Sequence, residues 1–287
     1  MFWGEEEMDI SELNYSTVRV ISTLKNGISN GTGFIIRFAE QERDGQYLNV
    51  PAIVTNKHVI KGAHEITIRF HASDIDGKRI NSQCEFTVPI DSFFNHPDPN
   101  VDLCAMPIAS LYQLAERDKI KPYFYGIRLQ QIPVNKKLNE YSPAEDIVVI
   151  GYPNGIWDEV NNLPIFRTGT LATSPAVDYK GLKEFLIDCA IYPGSSGSPV
   201  LSIKQLFHKE TFEPFTSVKL LGVVYATYQH TAQGDLLFKN IPTNINTPVP
   251  NHLGLVLNST RIHELNTLIS NYYAGVPDEE IHYSLGT

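Results

Sequence analysis

An all-β fold built as two six-stranded halves with a terminal helix is what this sequence predicts, and three observations predict it. Short stretches rich in Val, Ile, Thr and aromatic residues recur along the 287 residues. They are bounded by Gly, Pro, Asn and Asp, and in the fourth of them Ile66, Ile68 and Phe70 alternate with polar or charged neighbours. Many short strands between turn residues are the pattern of a sandwich or barrel, and a hydrophobic content of 42% supplies a full core for one large or two smaller domains.

The first set of strands is read at 18–23, 33–38, 52–55, 66–70, 84–88 and 103–107. A polar passage containing Pro and Lys follows, over 110–142. The second set is read at 147–150, 166–172, 185–189, 199–203, 220–225 and 253–257, and the segments 204–218 and 229–252 read as long hairpin tips or surface loops. Ile262, Leu265, Ile269 and Tyr272 recur at helical spacing, with Ser259 or Thr260 as the cap and Gly275 with Pro277 as the stop. This helix is expected to pack against the second half. The domain reading is a tail (1–16), a first barrel (17–115), a linker (116–142), a second barrel (143–258), the helix (259–273) and a tail (274–287).

Charge and composition exclude several classes. The net charge is −9 and no run of five Lys or Arg occurs, so the basic stripe that grips phosphate backbones is missing and nucleic acid is not an expected partner. The longest apolar runs are five or six residues, against roughly 20 needed to cross a bilayer; no membrane partner is expected. The N-terminus is acidic where a secretory signal is basic, with Glu5, Glu6 and Glu7 read as a solvated run. Cys84, Cys104 and Cys189 form an odd, widely spaced set with no CxxC motif, which fits a reducing, cytoplasmic compartment. His263-Glu264 lacks the second histidine of HExxH, and Gly31-Thr32-Gly33 lacks the spacing and Lys of a phosphate loop, so no metal or nucleotide cofactor is expected.

The most informative stretch runs from Tyr192 to Pro199, Y-P-G-S-S-G-S-P. Glycines flanking a serine permit a compressed turn that projects one hydroxyl and converges backbone amides. The pattern G-x-S-G-x-P makes Ser196 the candidate nucleophile, with an oxyanion hole in the segment Gly194, Ser195, Ser196, whose donors are the N–H groups of Gly194 and Ser196. A Gly/Ser hairpin turn without activity fits the same residues. A serine needs a base, and the base needs an orienting acid. His58 follows an apolar run in Ile53-Val54-Thr55-Asn56-Lys57-His58, and Asp102 leads another in Val101-Asp102-Leu103-Cys104. The three lie 44 and 94 residues apart.

The order His, Asp, Ser, with the contexts TNKHV, VDLCAM and PGSSGSPV, resembles the chymotrypsin-like serine proteases, and within them is similar to HtrA-type and other bacterial trypsin-like peptidases. Gly31-Thr32-Gly33-Phe34, Gly151-Tyr152-Pro153-Asn154-Gly155, Arg167-Thr168-Gly169-Thr170 and Leu221-Gly222-Val223-Val224 are further matching pieces. The resemblance implies two perpendicular six-stranded barrels with the cleft between them. It implies that Cys189, Ala190, Ile191 and Tyr192 form one wall of the specificity pocket, and Tyr225, Ala226 and Thr227 the other wall and the strand edge that pairs with substrate. Ala190 stands where Lys/Arg specificity uses an acid, so small to medium apolar residues are the expected substrate side chains. Departures from the pattern are Ser195, uncharged where secreted relatives carry Asp, and Val59, Ser198 and the bulky Tyr225. No PDZ domain is expected. The resemblance implies a serine endopeptidase acting on protein or peptide, with two rivals: a silent peptide-binding or scaffold module, and a protease active only after an activating protein partner binds.

Overall fold

The computed structural model describes residues 9–43, 46–109, 111–112, 120–208, 211–238 and 241–274. The acidic run at 5–7, part of the linker (116–119), Glu210 and the helix stop at Gly275 and Pro277 lie outside the described residues.

All six strands of the first set form, most of them longer than the apolar pattern: β1 (Thr17–Leu24), β2 (Gly27–Arg43), β3 (Gln46–Thr55), β4 (Glu65–Ser73), β5 (Arg79–Val88) and, after the short β6 (Phe94–Asn95), β7 (Cys104–Pro107). The single-turn helix α1 (Lys57–Ile60) falls between β3 and β4. Two further strands, β8 (Lys121–Tyr123) and β9 (Ile127–Arg128), come from the passage read as linker. The N-terminal half is therefore a nine-stranded sheet, β5-β4-β1-β2-β3-β7-β6 with β8 on β4 and β9 parallel to β2, and its path does not close into a six-stranded ring. Residues 121–128 of that passage thus join this sheet, with Pro122 and Ile127 buried, whereas Tyr141 near its far end packs in the core of the C-terminal half. The end of the predicted tail is ordered too: Asp9 accepts a hydrogen bond from Ser11 N, opening a 3₁₀ helix (Ile10–Tyr15) that buries Leu13 in the core.

The second half does close. β10 (Asp146–Gly151), β11 (Ile165–Leu171), β12 (Glu184–Asp188), β13 (Pro199–Phe207), β14 (Pro214–Phe238) and β15 (Ile241–Asn258) form a barrel in the order β10-β11-β12-β15-β14-β13. The two segments read as hairpin tips are ladder extensions of β13–β14 and β14–β15.

One core binds the halves. Phe34, Ile36 and Val54 from the first sheet, Ile150, Leu201 and Val223 from the barrel, and Ile262, Leu265 and Ile269 from the terminal helix α2 (Ile262–Tyr273) pack in a single cluster. Each such side chain contributes about 1.5–3 kcal/mol on burial. The helix is seated against the first half as well as the second, contrary to expectation. Asn266 Oδ1 accepts from Ala39 N of β2 at 2.8 Å, and the Phe94 and Tyr272 rings meet edge-on at 4.9 Å. The bulge between Phe38 and Gln41, where Ala39 has φ 49°, frees that N–H for the helix. Asn258, not Ser259 or Thr260, caps the 3₁₀ turn (Ser259–Arg261) that leads into α2, accepting from Thr260 N, and α2 itself starts after Arg261 with no side-chain cap.

Candidate active site

β3 ends at Thr55, extended Asn56 turns the chain, and α1 carries His58 to the surface while burying Val59 and Ile60. Lys57 Nζ holds the start of this turn by donating to the carbonyls of His96 (3.3 Å) and Asp98 (3.2 Å). Asp102 comes from the loop ahead of β7. Its Oδ1 accepts from the His58 backbone N–H at 3.0 Å and its Oδ2 meets His58 Nδ1 at 2.5 Å, while Asn56 Nδ2 donates to the Asp102 carbonyl at 2.7 Å. The carboxylate is partly exposed rather than fully buried, with 26% of its side chain accessible. Both imidazole position and tautomer are fixed by this grip, which leaves Nε2 as the nitrogen available for chemistry.

The loop bearing Asp102 is anchored from the far end of the chain. Asp98 accepts from Asn100 N and Val101 N within the loop, and from Arg261 Nη2 at 2.6 Å; His96 Nε2 lies 3.1 Å from the Arg261 carbonyl.

Ser196 sits in the turn between Ala190 and β13. Gly194 (φ +88°) and Gly197 (φ +86°) are both in the left-handed region, and a Cβ at either would collide with a backbone carbonyl, that of Tyr152 or that of Thr32. These contacts press the turn onto both halves of the molecule. Thr32 is the knot: its N–H donates to Ser196 O (2.9 Å), its Oγ1 donates to Gly194 O (2.9 Å) and accepts from Tyr152 N (3.2 Å), and its carbonyl accepts from Thr55 Oγ1 (2.7 Å). Asn154 N bonds to the Pro193 carbonyl from the side. Among the described residues the N–H groups of Gly194 and Ser196 have no acceptor, whereas that of Ser195 donates to Tyr192 O at 3.0 Å and closes the turn. The Ser195 N–H is thus consumed within the turn.

Ser196 Oγ donates to the Tyr225 carbonyl at 3.4 Å, and no hydrogen bond joins it to His58 among the described residues. Tyr225 lies at a bulge between Val224 and Ala226, outside the β14–β15 pairing. Burial, then the neighbouring Glu184 carboxylate, pushes its phenol up from the ordinary value.

The expected substrate walls divide. Ala190, Tyr192, Tyr225, Ala226 and Thr227 are partly exposed, but Cys189 and Ile191 are buried in the barrel core and line no open surface. Ile191 packs where a Cβ on Gly254 would stand, between the turn and β15. Beyond Val224, whose N–H reaches Ser198 O, the outer edge of β14 has no strand partner among the described residues.

Sequence reasoning passed over two residues that the geometry brings forward. Thr32 and Arg167 both fell inside matching motifs, but neither spacing nor residue type revealed their cross-chain bonds. Arg167 Nη1 donates to Ala190 O at 2.5 Å and to Ser195 Oγ at 3.1 Å. Among the described residues no group of three or more metal-ligating side chains gathers.

Two facing β halves, a His–Asp pair on one and a strained serine turn on the other, define a trypsin-like serine peptidase domain. The model of the trypsin-like peptidase domain family matches residues 31–205, and the chain belongs to that family. Among solved structures it is similar to an HtrA-type protease, AlgW, with tripeptide (14% identity, TM-score 0.46, covering 92% of this chain and 62% of that one). It is also similar to a serine endoprotease from Yersinia pestis (15%, 0.44, 93% and 68%) and to a thermostable serine protease from an extremophilic microorganism (12%, 0.47, 91% and 99%). The chain thus spans less than two thirds of the HtrA-type protein. No curated protein matches it significantly.

Proposed function

We propose that the protein is a serine endopeptidase that cleaves peptide bonds through an acyl-enzyme. His58 Nε2 takes the Ser196 proton as Oγ attacks the substrate carbonyl, Asp102 stabilises the imidazolium, and the N–H groups of Gly194 and Ser196 hold the developing oxyanion. His58 then returns the proton to the departing amine, and water, deprotonated in turn by His58, releases the acid product. The observation that carries this reading is the double grip of Asp102 on His58, at the backbone N–H and at Nδ1, which leaves Nε2 free. The substrate docks as an added strand on the open edge of β14, with a small to medium apolar side chain before the cut bond. The three thiols are free and buried, which supports a cytoplasmic setting. No helix among the described residues is long and apolar enough to cross a membrane.

A second reading rests on the Ser196–Tyr225 contact: the hydroxyl is turned to a carbonyl, a resting state that substrate or an activating protein partner converts by moving the Tyr225 segment. A fluorophosphonate probe separates the readings. Labelling of the isolated protein, abolished by Ser196→Ala, supports the constitutive peptidase; labelling that appears only with a second component supports the switched form. Labelling that survives Ser196→Ala refutes both, and peptide binding with no labelling under any condition leaves a silent binding module.

A further inference from the structure

Arg167 is a partly buried cation that the chemistry above does not use. It projects from β11, which pairs with β12 only at Thr170↔Asp188 and Leu171↔Ile187. Past Asp188 the chain leaves that ladder, and the guanidinium bridges the gap, one nitrogen donating to Ala190 O and to Ser195 Oγ. Those two acceptors bracket the segment that leads into the candidate nucleophile, Ser196. Inside it, Ser195 Oγ also accepts from Tyr192 N at 3.3 Å, and Ser195 N donates to Tyr192 O. Ser195 is completely buried. Nε and Nη2 are buried with no acceptor among the described residues, and burial pushes the guanidinium down from its ordinary value. The titratable side chains facing it are Cys189 and Tyr192, and burial pushes the Cys189 thiol up. Among the described residues no carboxylate pairs with this charge. A cation desolvated without a counter-charge is a liability for stability, so its value lies in what it holds.

We propose that Arg167 is a positioning residue that fixes the oxyanion segment, tying Ala190 to Ser195 so that the Gly194 and Ser196 N–H groups stay turned toward the cleft. This rests on the serine-peptidase reading. Because a guanidinium keeps its proton at all working pH values, the tether holds over the whole range, whereas an ammonium in its place titrates.

The full chain, Arg167→Met, Arg167→Lys and Ser196→Ala are compared by fluorophosphonate labelling rate from pH 7 to 10.5, by melting temperature and by amide exchange over residues 190–197. Arg167→Met is expected to melt within a few degrees of the parent, to exchange faster in this segment only, and to label about 100-fold more slowly, the scale of an ångström-sized misplacement. Arg167→Lys is expected to label at pH 7 and to lose labelling as pH rises through a lysine pKa that burial depresses below its usual value of about 10.4; the parent shows no such loss. Unchanged segment exchange in Arg167→Met, or a parental pH profile in Arg167→Lys, overturns the proposal. Should Arg167→Met not fold, the Arg167→Lys profile decides. A parent that never labels at Ser196 while Arg167→Met still loosens the segment refutes the peptidase reading and leaves the tether standing.

Discussion

Replacing Thr32 with valine removes one oxygen atom from the junction of the two halves. That oxygen donates to Gly194 O at 2.9 Å and accepts from Tyr152 N at 3.2 Å, and the whole side chain is inaccessible to solvent. The two lost bonds are worth a net ~1 kcal/mol each, and leaving the Tyr152 N–H buried without an acceptor adds about 1–3 kcal/mol, so the variant is destabilised by roughly 3–5 kcal/mol. At roughly 2–4 °C per kcal/mol for a protein of this size, the melting temperature drops by about 6–20 °C. Labelling at Ser196 falls further than stability requires, by about tenfold or more at a temperature where the variant is folded, because the Gly194 carbonyl is the far side of the peptide plane next to the oxyanion hole. Calorimetry and probe labelling at 15 °C read the two effects separately. Thr32→Ser keeps the hydroxyl and restores labelling. A Thr32→Val protein that melts within 1 °C of the parent and labels at the parental rate refutes the view that Thr32 shapes the site.

Other consequences are open to direct measurement. Asp102→Asn is expected to fold normally and to label about 10³- to 10⁴-fold more slowly, because an amide favours the wrong imidazole tautomer; a loss under tenfold contradicts the role given to Asp102. Gly197→Ala forces a Cβ against the Thr32 carbonyl at φ +86° and is expected to cost at least about 3 kcal/mol, seen as a collapse in folded yield. His71 and His96 are held below the usual histidine value mainly by burial. Both fold as neutral rings, so the unfolded chain binds more protons below pH ~6.5; these two groups leave melting temperature flat above that pH, lower it as pH falls from ~6.5 toward the depressed folded values and add no further fall below them, and His71→Gln flattens part of the fall. Cys84 is buried, its thiol pushed up to about 12, and all three cysteines are free. At pH 8 a maleimide or disulfide reagent therefore titrates three thiols only after denaturant is added.

The strands were legible because the side chains that fill the cores are Val, Ile, Leu and Phe at strand spacing, and β1, β4, β10 and β12 follow that pattern closely. The pattern fades where strand pairing is carried by backbone alone. β8 and β9 add only three and two residues, with Pro122 and Arg128 among them, to edges already formed by β4 and β2, and no periodicity announces that. The long β14–β15 ribbon is polar and Pro-containing, so its ladder read as loop. At the site, the His58–Asp102 pair was legible from residue type and local context, and the same reasoning singled out Ser196 as the candidate nucleophile. Thr32 and Arg167 were not, because their importance lies in backbone carbonyls reached across the fold. Ile191 misled for a related reason: an apolar residue in a turn looks like a pocket wall until the chain path turns it inward.

The tie between Arg261 and Asp98 spans 163 positions of chain. Asp98 organises the loop that presents Asp102, so the acid side of the candidate site is fastened by a residue at the start of the terminal helix. A fragment that carries His58, Asp102 and Ser196 but stops short of Arg261 lacks this clasp.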